Sequence, residues 1–338
     1  MDQGRVIGIC IGFLLAIPAV FIRLILRFIT LGCGVFSVKS RTQPACLLDP
    51  ELGVHKYMRV NGVKIHYVEA GDADKPLLLF VHGFPEFWFS WRHQIKHFQK
   101  NYRVVAMDTR GYNQSEKPPG IEEYHLKNLI DDIKCLVEGI GVQKFTLVAH
   151  DFGGAIAWCM AAVYPEMIEK MIICNSPHTL VLEDAKKNSW AQKLMSWYTF
   201  FFQFPILPEL FWLMEDLSIV ESNLIDAKET ETEVFDAYKY AFRDFKTWNR
   251  VINYYRADFT DSSIEFNKKI RDKMSCISVP TLHIFGTGDK YLGLDTAQAS
   301  SNYVKNYQLD LLDGVSHWSI EEAPGLVNKH IEKFLQQD

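Results

Sequence analysis

Short apolar runs alternate with stretches of helical periodicity from about residue 55 to the end of the chain. Runs of strand length occupy residues 65–71, 77–83, 102–108, 144–150, 171–176, 281–286 and 307–312. Between many of them, as in residues 126–140 and 324–337, apolar positions recur with the spacing of an amphipathic helix. This alternation predicts an α/β fold in which a mostly parallel sheet is flanked by helices.

The strand pattern stops between residues 178 and 275. This part is rich in aromatic residues and helical in character, as in SWYTFFFQFPILPELFWLME at residues 196–215. We predict a helical lid at residues 178–275, inserted into a core that residues 55–177 and 276–338 form together. The chain has 338 residues, of which 48% are hydrophobic, so it is long enough to bury such a core.

The amino terminus differs from everything after it. Residues 6–22 carry no charge and, at about 1.5 Å per residue, would span about 26 Å as a helix, close to the thickness of a thin bilayer. A cleaved signal peptide and a buried core helix are the competing interpretations. We predict that residues 1–40 form a transmembrane helix and a linker.

The charges around the predicted span indicate its orientation. Four basic residues follow the span, namely Arg23, Arg27, Lys39 and Arg41. Before it stands Arg5, with Asp2 nearby. By the positive-inside rule, the domain after the span faces the cytosol. The seven cysteines contain no C-x-x-C pair and are odd in number, which is typical of a reducing compartment. We therefore predict a single-pass protein of the endoplasmic reticulum with a cytosolic domain.

Composition narrows the range of partners. The formal net charge is −5, without a polybasic patch, which argues against a nucleic-acid partner. The scattered cysteines do not have the spacing of a zinc site. We predict no metal, no cofactor and no obligate protein partner, so that the expected contacts are a small substrate and the membrane.

The stretch VAHDFGG, residues 148–154, has the form of a nucleophile elbow. In such an elbow a strand ends, one reactive residue is presented at a sharp turn, and small residues allow the next helix to pack closely. Ala149 and Gly153 occupy the small positions, but the residue at the apex is Asp151 rather than serine. A second interpretation is that Asp151 only caps the helix that follows.

Two later residues favour the catalytic interpretation. Asp289 lies just past a strand in IFGTGDKYL, and His317 lies in a loop after the next strand, in LLDGVSHW. Nucleophile, acid and histidine then follow in the order of α/β-hydrolase triads. Asp295 and Asp313 are alternative acids for His317, but both lie further from a strand end.

Two backbone amides complete the candidate site. The turn VHGFPE at residues 81–86 closes a strand, and the N–H of Phe84 could face Asp151. Together with the N–H of Phe152, it would form a two-donor oxyanion hole. Asn175 also follows a strand, but it cannot ionise, which leaves Asp289 as the preferred acid.

Five motifs in this order resemble the epoxide hydrolase branch of the α/β-hydrolase fold family. They are HGFPEFWFSWRHQ at residues 82–94, MDTRGYNQS at 107–115, VAHDFGG at 148–154, FGTGDKYL and GVSHW. The amino-terminal anchor further resembles the membrane-linked animal members. Two departures are Phe152, where the family frequently has tryptophan, and Asn113, where glycine is frequent. Asn113 tolerates a left-handed backbone nearly as well as glycine.

The resemblance implies a two-step reaction. Asp151 would attack a carbon of a lipophilic epoxide and form an alkyl ester. His317, oriented by Asp289, would activate water to hydrolyse that ester to a 1,2-diol, and the amides of Phe84 and Phe152 would stabilise the oxyanion.

Ring opening also requires donors to the epoxide oxygen. In the family, two lid tyrosines supply them, and the segments SWYTFFFQFP and NYYRADF place these at Tyr198 and Tyr255. Tyr254 is a close competitor for the second position, and Tyr238 and Tyr240 are weaker candidates.

Two other functions remain compatible with the sequence. A haloalkane dehalogenase would share Asp151 and His317 but commonly binds halide through tryptophan and asparagine side chains, where this chain has Phe152 and Phe84. A catalytically silent, membrane-tethered binding protein is disfavoured because every reactive position is retained.

Overall fold

A computed structural model describes residues 17–224 and 232–337. Its centre is one eight-stranded sheet in the order β1-β2-β4-β3-β5-β6-β7-β8. The strands are β1 (Val54–Val60), β2 (Val63–Ala70), β3 (Leu77–Val81), β4 (Arg103–Met107), β5 (Phe145–His150), β6 (Ile168–Cys174), β7 (Thr281–Gly286) and β8 (Tyr307–Leu312).

Most of this sheet is parallel, as predicted. Every neighbouring pair from β4 through β8 is parallel, whereas β1 pairs antiparallel with β2, and β2 with β4. All residues of β3 and β5 are buried, as expected for central strands covered on both faces. The sequence pattern missed β1, because this edge strand is largely exposed and carries His55, Lys56 and Arg59 among its apolar residues.

Helices cover the faces of the sheet. They are α2 (Arg92–Phe98), α3 (Leu126–Gly139), α4 (Phe152–Val163), α12 (Leu294–Ala299), α13 (Ser319–Glu322) and α14 (Pro324–Leu335), whereas α1 (Ile17–Leu31) precedes the sheet and α5 to α11, described next, belong to the predicted lid. The two helices predicted from periodicity, at residues 126–140 and 324–337, correspond to α3 and α14. Helix α4 is apolar nearly all round and buried, since it packs between the sheet and other helices.

The predicted lid contains helices and, in its described residues, no strand. Its helices are α5 (Thr179–Asn188), α6 (Trp190–Met195), α7 (Trp197–Phe201), α8 (Leu207–Leu224), α9 (Thr232–Ala241), α10 (Phe245–Ala257) and α11 (Asp261–Met274). Helix α8 is interrupted, because the backbone from Met214 to Leu217 is not helical.

The predicted membrane span falls partly outside the described residues, which begin at Ile17. Helix α1 continues past Arg23 and Arg27 to Leu31. The stretch Pro18–Phe36 has a mean hydropathy of 2.0 and is long and apolar enough to cross a membrane, although a signal sequence would meet the same criterion.

Candidate active site

The nucleophile elbow forms where β5 ends and α4 begins. Asp151 lies between them with φ of 47° and ψ of −119°, a conformation rarely adopted by residues other than glycine. A Cβ atom on Gly153 would lie 2.4 Å from the carbonyl oxygen of Val81, so only glycine permits this approach of helix to strand. The Asp151 side chain accepts no capping hydrogen bond from α4. The helix-cap interpretation therefore does not describe this turn.

The turn after β3 lies directly against Asp151. The backbone N–H of Phe84 donates to Oδ1 of Asp151 at 2.8 Å. A Cβ atom on Gly83 would lie 2.5 Å from the Cβ of Asp151, which explains the glycine at this position. Phe152 is the first residue of α4, where backbone N–H groups have no partner within the helix. Both predicted oxyanion donors thus belong to residues that border Asp151.

His317 lies between the two predicted carboxylates. Its Nε2 is 3.3 Å from Oδ2 of Asp151, and its Nδ1 is 2.7 Å from Oδ2 of Asp289. The histidine is 3% exposed and Asp289 8%, so water screens this arrangement little. The structure brings together the nucleophile, the histidine and the acid that the sequence pattern indicated.

Asp289 is held by several donors. Its Oδ1 accepts the backbone N–H groups of Tyr291 at 2.8 Å and Leu292 at 3.0 Å. Its Oδ2 accepts the side-chain amide of Asn175 at 2.9 Å in addition to His317. Asn175 follows β6 and is excluded as the acid because it cannot ionise, but its side-chain amide holds Asp289 in place.

The alternative acids do not approach His317. The carboxylate of Asp313 accepts the hydroxyl of Thr287 at 3.3 Å in an exposed turn. Asp295 lies in the first turn of α12, outside the cavity described below. The preference for Asp289 is consistent with this geometry.

Burial and charge set the protonation states of this triad. Burial alone would raise the pKa of Asp151, but its hydrogen bond to His317 and the charge on that ring hold the pKa below its usual value. Burial would lower the pKa of His317, whereas the charge of Asp289 and the hydrogen bonds to Asp151 and Asp289 raise it to about 10. At neutral pH the resting site therefore contains an ionised Asp151 beside a protonated His317.

A cavity of about 200 Å³ opens above Asp151. It is lined mainly by aromatic side chains from core and lid: Phe84, Trp197, Tyr198, Phe201, Phe202, Phe211, Trp212, Tyr255, Tyr291 and Trp318, with Pro85, Asp151 and His317 completing it. Such a lining suits a small apolar ligand with few polar atoms.

Tyr198 and Tyr255 both line this cavity. Their ring centroids are 5.9 Å apart. Burial raises the pKa of each phenol well above its usual value, so both remain protonated and can donate. Tyr291, which sequence reasoning missed, also lines the cavity, and its ring centroid lies 5.0 Å from that of His317.

The competing tyrosines point elsewhere. The hydroxyl of Tyr254 donates to the carbonyl oxygen of Arg110 at 2.6 Å, away from the cavity. The hydroxyl of Tyr238 donates to Glu321, and Tyr240 stacks under the guanidinium of Arg243. None of these three tyrosines lines the cavity.

Glu86 and His150 form a buried pair behind the triad. Their Oε2 and Nδ1 atoms are 2.8 Å apart, and both side chains are fully buried. Glu86 also accepts the N–H of Gly83 at 2.6 Å, and Nε2 of His150 lies 2.9 Å from the carbonyl oxygen of His317. The sequence analysis missed Glu86, although a carboxylate three residues after a turn glycine is a signal for such a bond.

A neighbouring turn carries the second departure from the family pattern. Asn113 has φ of 37°, in the left-handed region, as expected for a position where glycine is frequent. Its side-chain amide donates to the buried carboxylate of Asp108 at 2.8 Å. Asparagine therefore adopts the required backbone conformation and adds a hydrogen bond that glycine would lack.

Known proteins share both the sequence and the fold. The profile of the alpha/beta hydrolase fold family matches residues 76–324. The chain is 38% identical over 322 residues to epoxide hydrolase 1 of Caenorhabditis elegans, covering 93% of this chain and 77% of the relative. It is 40% identical over 306 residues to epoxide hydrolase 4 of Homo sapiens, covering 87% of this chain and 82% of the relative.

A solved structure with a similar fold is also that of an epoxide hydrolase. The epoxide hydrolase of Bacillus megaterium in complex with an inhibitor aligns with a TM-score of 0.73 and 32% identity, covering 83% of this chain and 100% of that one. The chain therefore belongs to the α/β-hydrolase fold family and, within it, to the epoxide hydrolases.

Proposed function

We propose that this epoxide hydrolase converts lipophilic epoxides to 1,2-diols through a covalent alkyl ester on Asp151. The observation that carries the proposal is the position of the Asp151 carboxylate, in an aromatic cavity that Tyr198 and Tyr255 also line. A carboxylate nucleophile and two phenol donors are the groups that opening of a neutral epoxide requires.

In the first step, one oxygen of Asp151 attacks an epoxide carbon and the carbon–oxygen bond of the ring breaks. Oδ1 of Asp151 already accepts the N–H of Phe84, which supports Oδ2 as the attacking atom and Oδ1 as the future carbonyl oxygen. Tyr198 and Tyr255 donate hydrogen bonds to the oxygen that becomes negative. The apolar walls favour entry of a lipophilic substrate.

In the second step, His317 takes a proton from water, which attacks the carbonyl carbon of the ester. The resting pKa of His317 is raised in part by its hydrogen bond to the Asp151 carboxylate. Alkylation removes the charge of Asp151, so the pKa of His317 falls and the ring releases its proton, which balances the proton that the ring-opened alkoxide takes up to become a hydroxyl. His317 thus becomes a base once the ester has formed, while Asp289 keeps the ring oriented.

Dehalogenation fits this site less well. The residues beside the nucleophile and in the oxyanion turn, Phe152 and Phe84, have no side-chain N–H to bind halide. Their rings instead contact Tyr255, with centroids 5.3 Å and 5.1 Å away. The neighbours of Asp151 therefore support the tyrosine pair rather than a halide site.

The proposal also includes the lid and the location of the catalytic domain in the cell. Residues 178–275 act as a lid over the sheet, and the amino-terminal helix anchors the chain in the membrane of the endoplasmic reticulum with the catalytic domain in the cytosol. The apolar stretch Pro18–Phe36 supports an anchor. A membrane anchor would place the cavity close to where lipophilic epoxides dissolve.

Mass spectrometry of the intact protein tests the covalent step. His317→Gln should still open the epoxide but not hydrolyse the ester, so we expect a stable mass gain of one epoxide molecule on the peptide that contains Asp151. Asp151→Ala should form neither adduct nor diol. Free turnover by Asp151→Ala, or an adduct on another residue, would refute the proposal.

A further inference from the structure

Helix α1 has two faces of opposite character. The inner face carries Val20, Arg23, Leu24 and Arg27, spaced three and four residues apart. Val20 and Leu24 are each 7% exposed and belong to the hydrophobic core, although they lie near the start of the described chain. The apolar residues of this face are therefore packed against the catalytic domain, whereas the side chains of Arg23 and Arg27 are 48% and 49% exposed.

The outer face of α1 is apolar and uncovered. It carries Ile22, Ile25, Leu26 and Ile29, which are 58%, 54%, 56% and 73% exposed. These four residues repeat the same three- and four-residue spacing on the opposite side of the helix. A contiguous aliphatic stripe of this kind on a soluble surface indicates a site of contact with another apolar phase.

Two acidic residues of the lid bind the basic residues that follow the apolar run. Glu215 pairs with Arg27 at 3.1 Å and with Arg23 at 3.9 Å. Asp216 accepts both terminal nitrogens of Arg41, with Nη1 at 2.7 Å, and the backbone N–H of Lys39 at 2.9 Å. The side chains of Arg41 and Asp216 are only 12% and 16% exposed, which makes this a largely desolvated, bidentate pair.

The bound acids lie on a strained turn. Glu215, Asp216 and Leu217 have φ of 50°, 60° and 64°, three consecutive left-handed residues without a glycine. Such a conformation persists only where the surroundings hold it. Met214 and Leu217 anchor the turn inside the core at 0% exposure, and the basic residues bind its outer side. The turn follows Trp212, which lines the catalytic cavity.

We propose that α1 is a rigid part of the lid and that its outer face lies in the hydrocarbon of a lipid bilayer, which holds the catalytic cavity at the membrane through its lid. This inference rests on the proposed membrane anchoring and gives it an orientation. Both arginines of α1 are paired with the lid on the inner side, so the outer stripe is free of charge, as lipid hydrocarbon requires. Residues 6–16, just before it, also carry no charge.

Photoreactive phosphatidylcholine tests the lipid contact in the full-length protein. After reconstitution in zwitterionic vesicles and irradiation, we expect lipid adducts on the tryptic peptide of residues 28–39. Ile29→Asp should reduce these adducts about tenfold or more, because a carboxylate is excluded from hydrocarbon. Membrane-bound protein without adducts on this peptide, or crosslinking of two chains through it, would overturn the proposal.

Kinetics test the connection to the lid. Glu215→Gln with Asp216→Asn removes both charges but keeps the side-chain shapes. We expect the KM for a bilayer-partitioned epoxide to rise about threefold or more, because the cavity is no longer held near its substrate, with kcat unchanged. The KM for a small, water-soluble epoxide should stay the same.

Two controls separate this effect from general damage. Glu221→Gln, also on α8, breaks an ion pair to Lys239 of α9 but should leave both KM values unchanged. Exchanging the charges, Arg27→Glu with Glu215→Arg, should retain most of the low KM. An unchanged KM in the Glu215→Gln, Asp216→Asn variant would overturn the proposed connection between α1 and the lid. If the parent itself does not turn over epoxides, the proposed function fails, while the lipid adducts still test the orientation.

Discussion

Asp151 adopts a backbone conformation that a residue other than glycine maintains only under constraint. Its φ of 47° has a free-energy cost on the order of 1 to 3 kcal/mol, which the packing of α4 on the sheet offsets. In this conformation the Asp151 carboxylate accepts no hydrogen bond from the backbone of α4. It instead meets the N–H of Phe84 and the ring of His317. The strain at this residue is therefore connected with its chemistry.

The two cavity tyrosines give a test at the same scale. Tyr198→Phe and Tyr255→Phe should each slow ring opening by about 10²- to 10⁴-fold, equivalent to about 3 to 5 kcal/mol, because each removes one donor to the epoxide oxygen. Single-turnover measurement of ester formation reports this step. Tyr254→Phe is the matched control, since its hydroxyl bonds to the Arg110 carbonyl in the core. If the double variant forms the ester as fast as the parent, these tyrosines are not the donors.

Adjacent residues show where sequence reasoning reaches its limit. Tyr254 and Tyr255 are both buried, at 2% and 8% exposure, and belong to the same aromatic pattern. Only the tertiary structure distinguishes them, because the rotation of α10 directs one hydroxyl into the core and the other side chain into the cavity. Asp151, by contrast, was predictable because its surroundings are specified by neighbours in the chain.

The Glu86–His150 pair links three separate segments of the chain. Glu86 holds the turn after β3, His150 ends β5, and the carbonyl of His317 belongs to the loop after β8. Burial would lower the pKa of His150, but the charge of Glu86 and the hydrogen bond to it raise the pKa above its usual value. The pair thus joins the elements that carry Phe84, Asp151 and His317.

Replacement of Glu86 should show how much the Glu86–His150 pair contributes to the free energy of unfolding. Glu86→Ala leaves His150 buried without its counter-ion, and we expect the free energy of unfolding to fall by about 3 to 5 kcal/mol. Glu86→Gln should lose much less, because its amide can still bond to both Gly83 and His150. Denaturant titration with circular dichroism measures these changes.

The surface provides a matched pair for that experiment. Glu332 and His97 are also 2.8 Å apart, but their side chains are 45% and 37% exposed. Glu332→Ala should therefore change the stability by about 1 kcal/mol or less. Equal losses at Glu86 and Glu332 would mean that burial of the inner pair does not matter.

Strands and helices differ in how well the sequence alone predicts them. Strands β3 and β5 were predicted because strands buried on both faces are continuous apolar runs. Strand β1 was missed because an edge strand needs no such run. The break in α8 could not be predicted either, since the residues from Met214 to Leu217 include neither glycine nor proline and the turn is held by basic residues about 200 positions earlier.

At the scale of the whole molecule, the basic residues that follow the predicted span also form ion pairs with the lid. The basic residues used for the positive-inside prediction include Arg23, Arg27 and Arg41, and all three pair with acids of the lid. Because these ion pairs also account for basic residues after the span, their positions alone do not establish the membrane topology. A separate experiment must measure it. The natural sequon at Asn113 is unsuitable, because its amide nitrogen already bonds to Asp108 in the fold.

An engineered acceptor in an exposed turn measures the topology. Asp72→Asn with Asp74→Thr creates a sequon at residues 72–74, which are fully on the surface between β2 and β3. For a cytosolic domain we expect no glycan in cells and digestion of the domain by protease in sealed microsomes. A mass shift that endoglycosidase removes, or protection from protease, would place the domain in the lumen. The same variant behind a cleavable secretory signal serves as the positive control.

The aromatic lining also gives this enzyme an internal optical probe. Trp318 lines the cavity, and its ring centroid is 5.0 Å from that of His317. A protonated imidazole quenches indole emission more strongly than a neutral one. In the proposed cycle His317 loses its proton when Asp151 is alkylated and regains one when the ester is hydrolysed. In a single-turnover experiment the intrinsic fluorescence of Trp318 should then rise when the ester forms and fall when it is hydrolysed, which reports both chemical steps without a label.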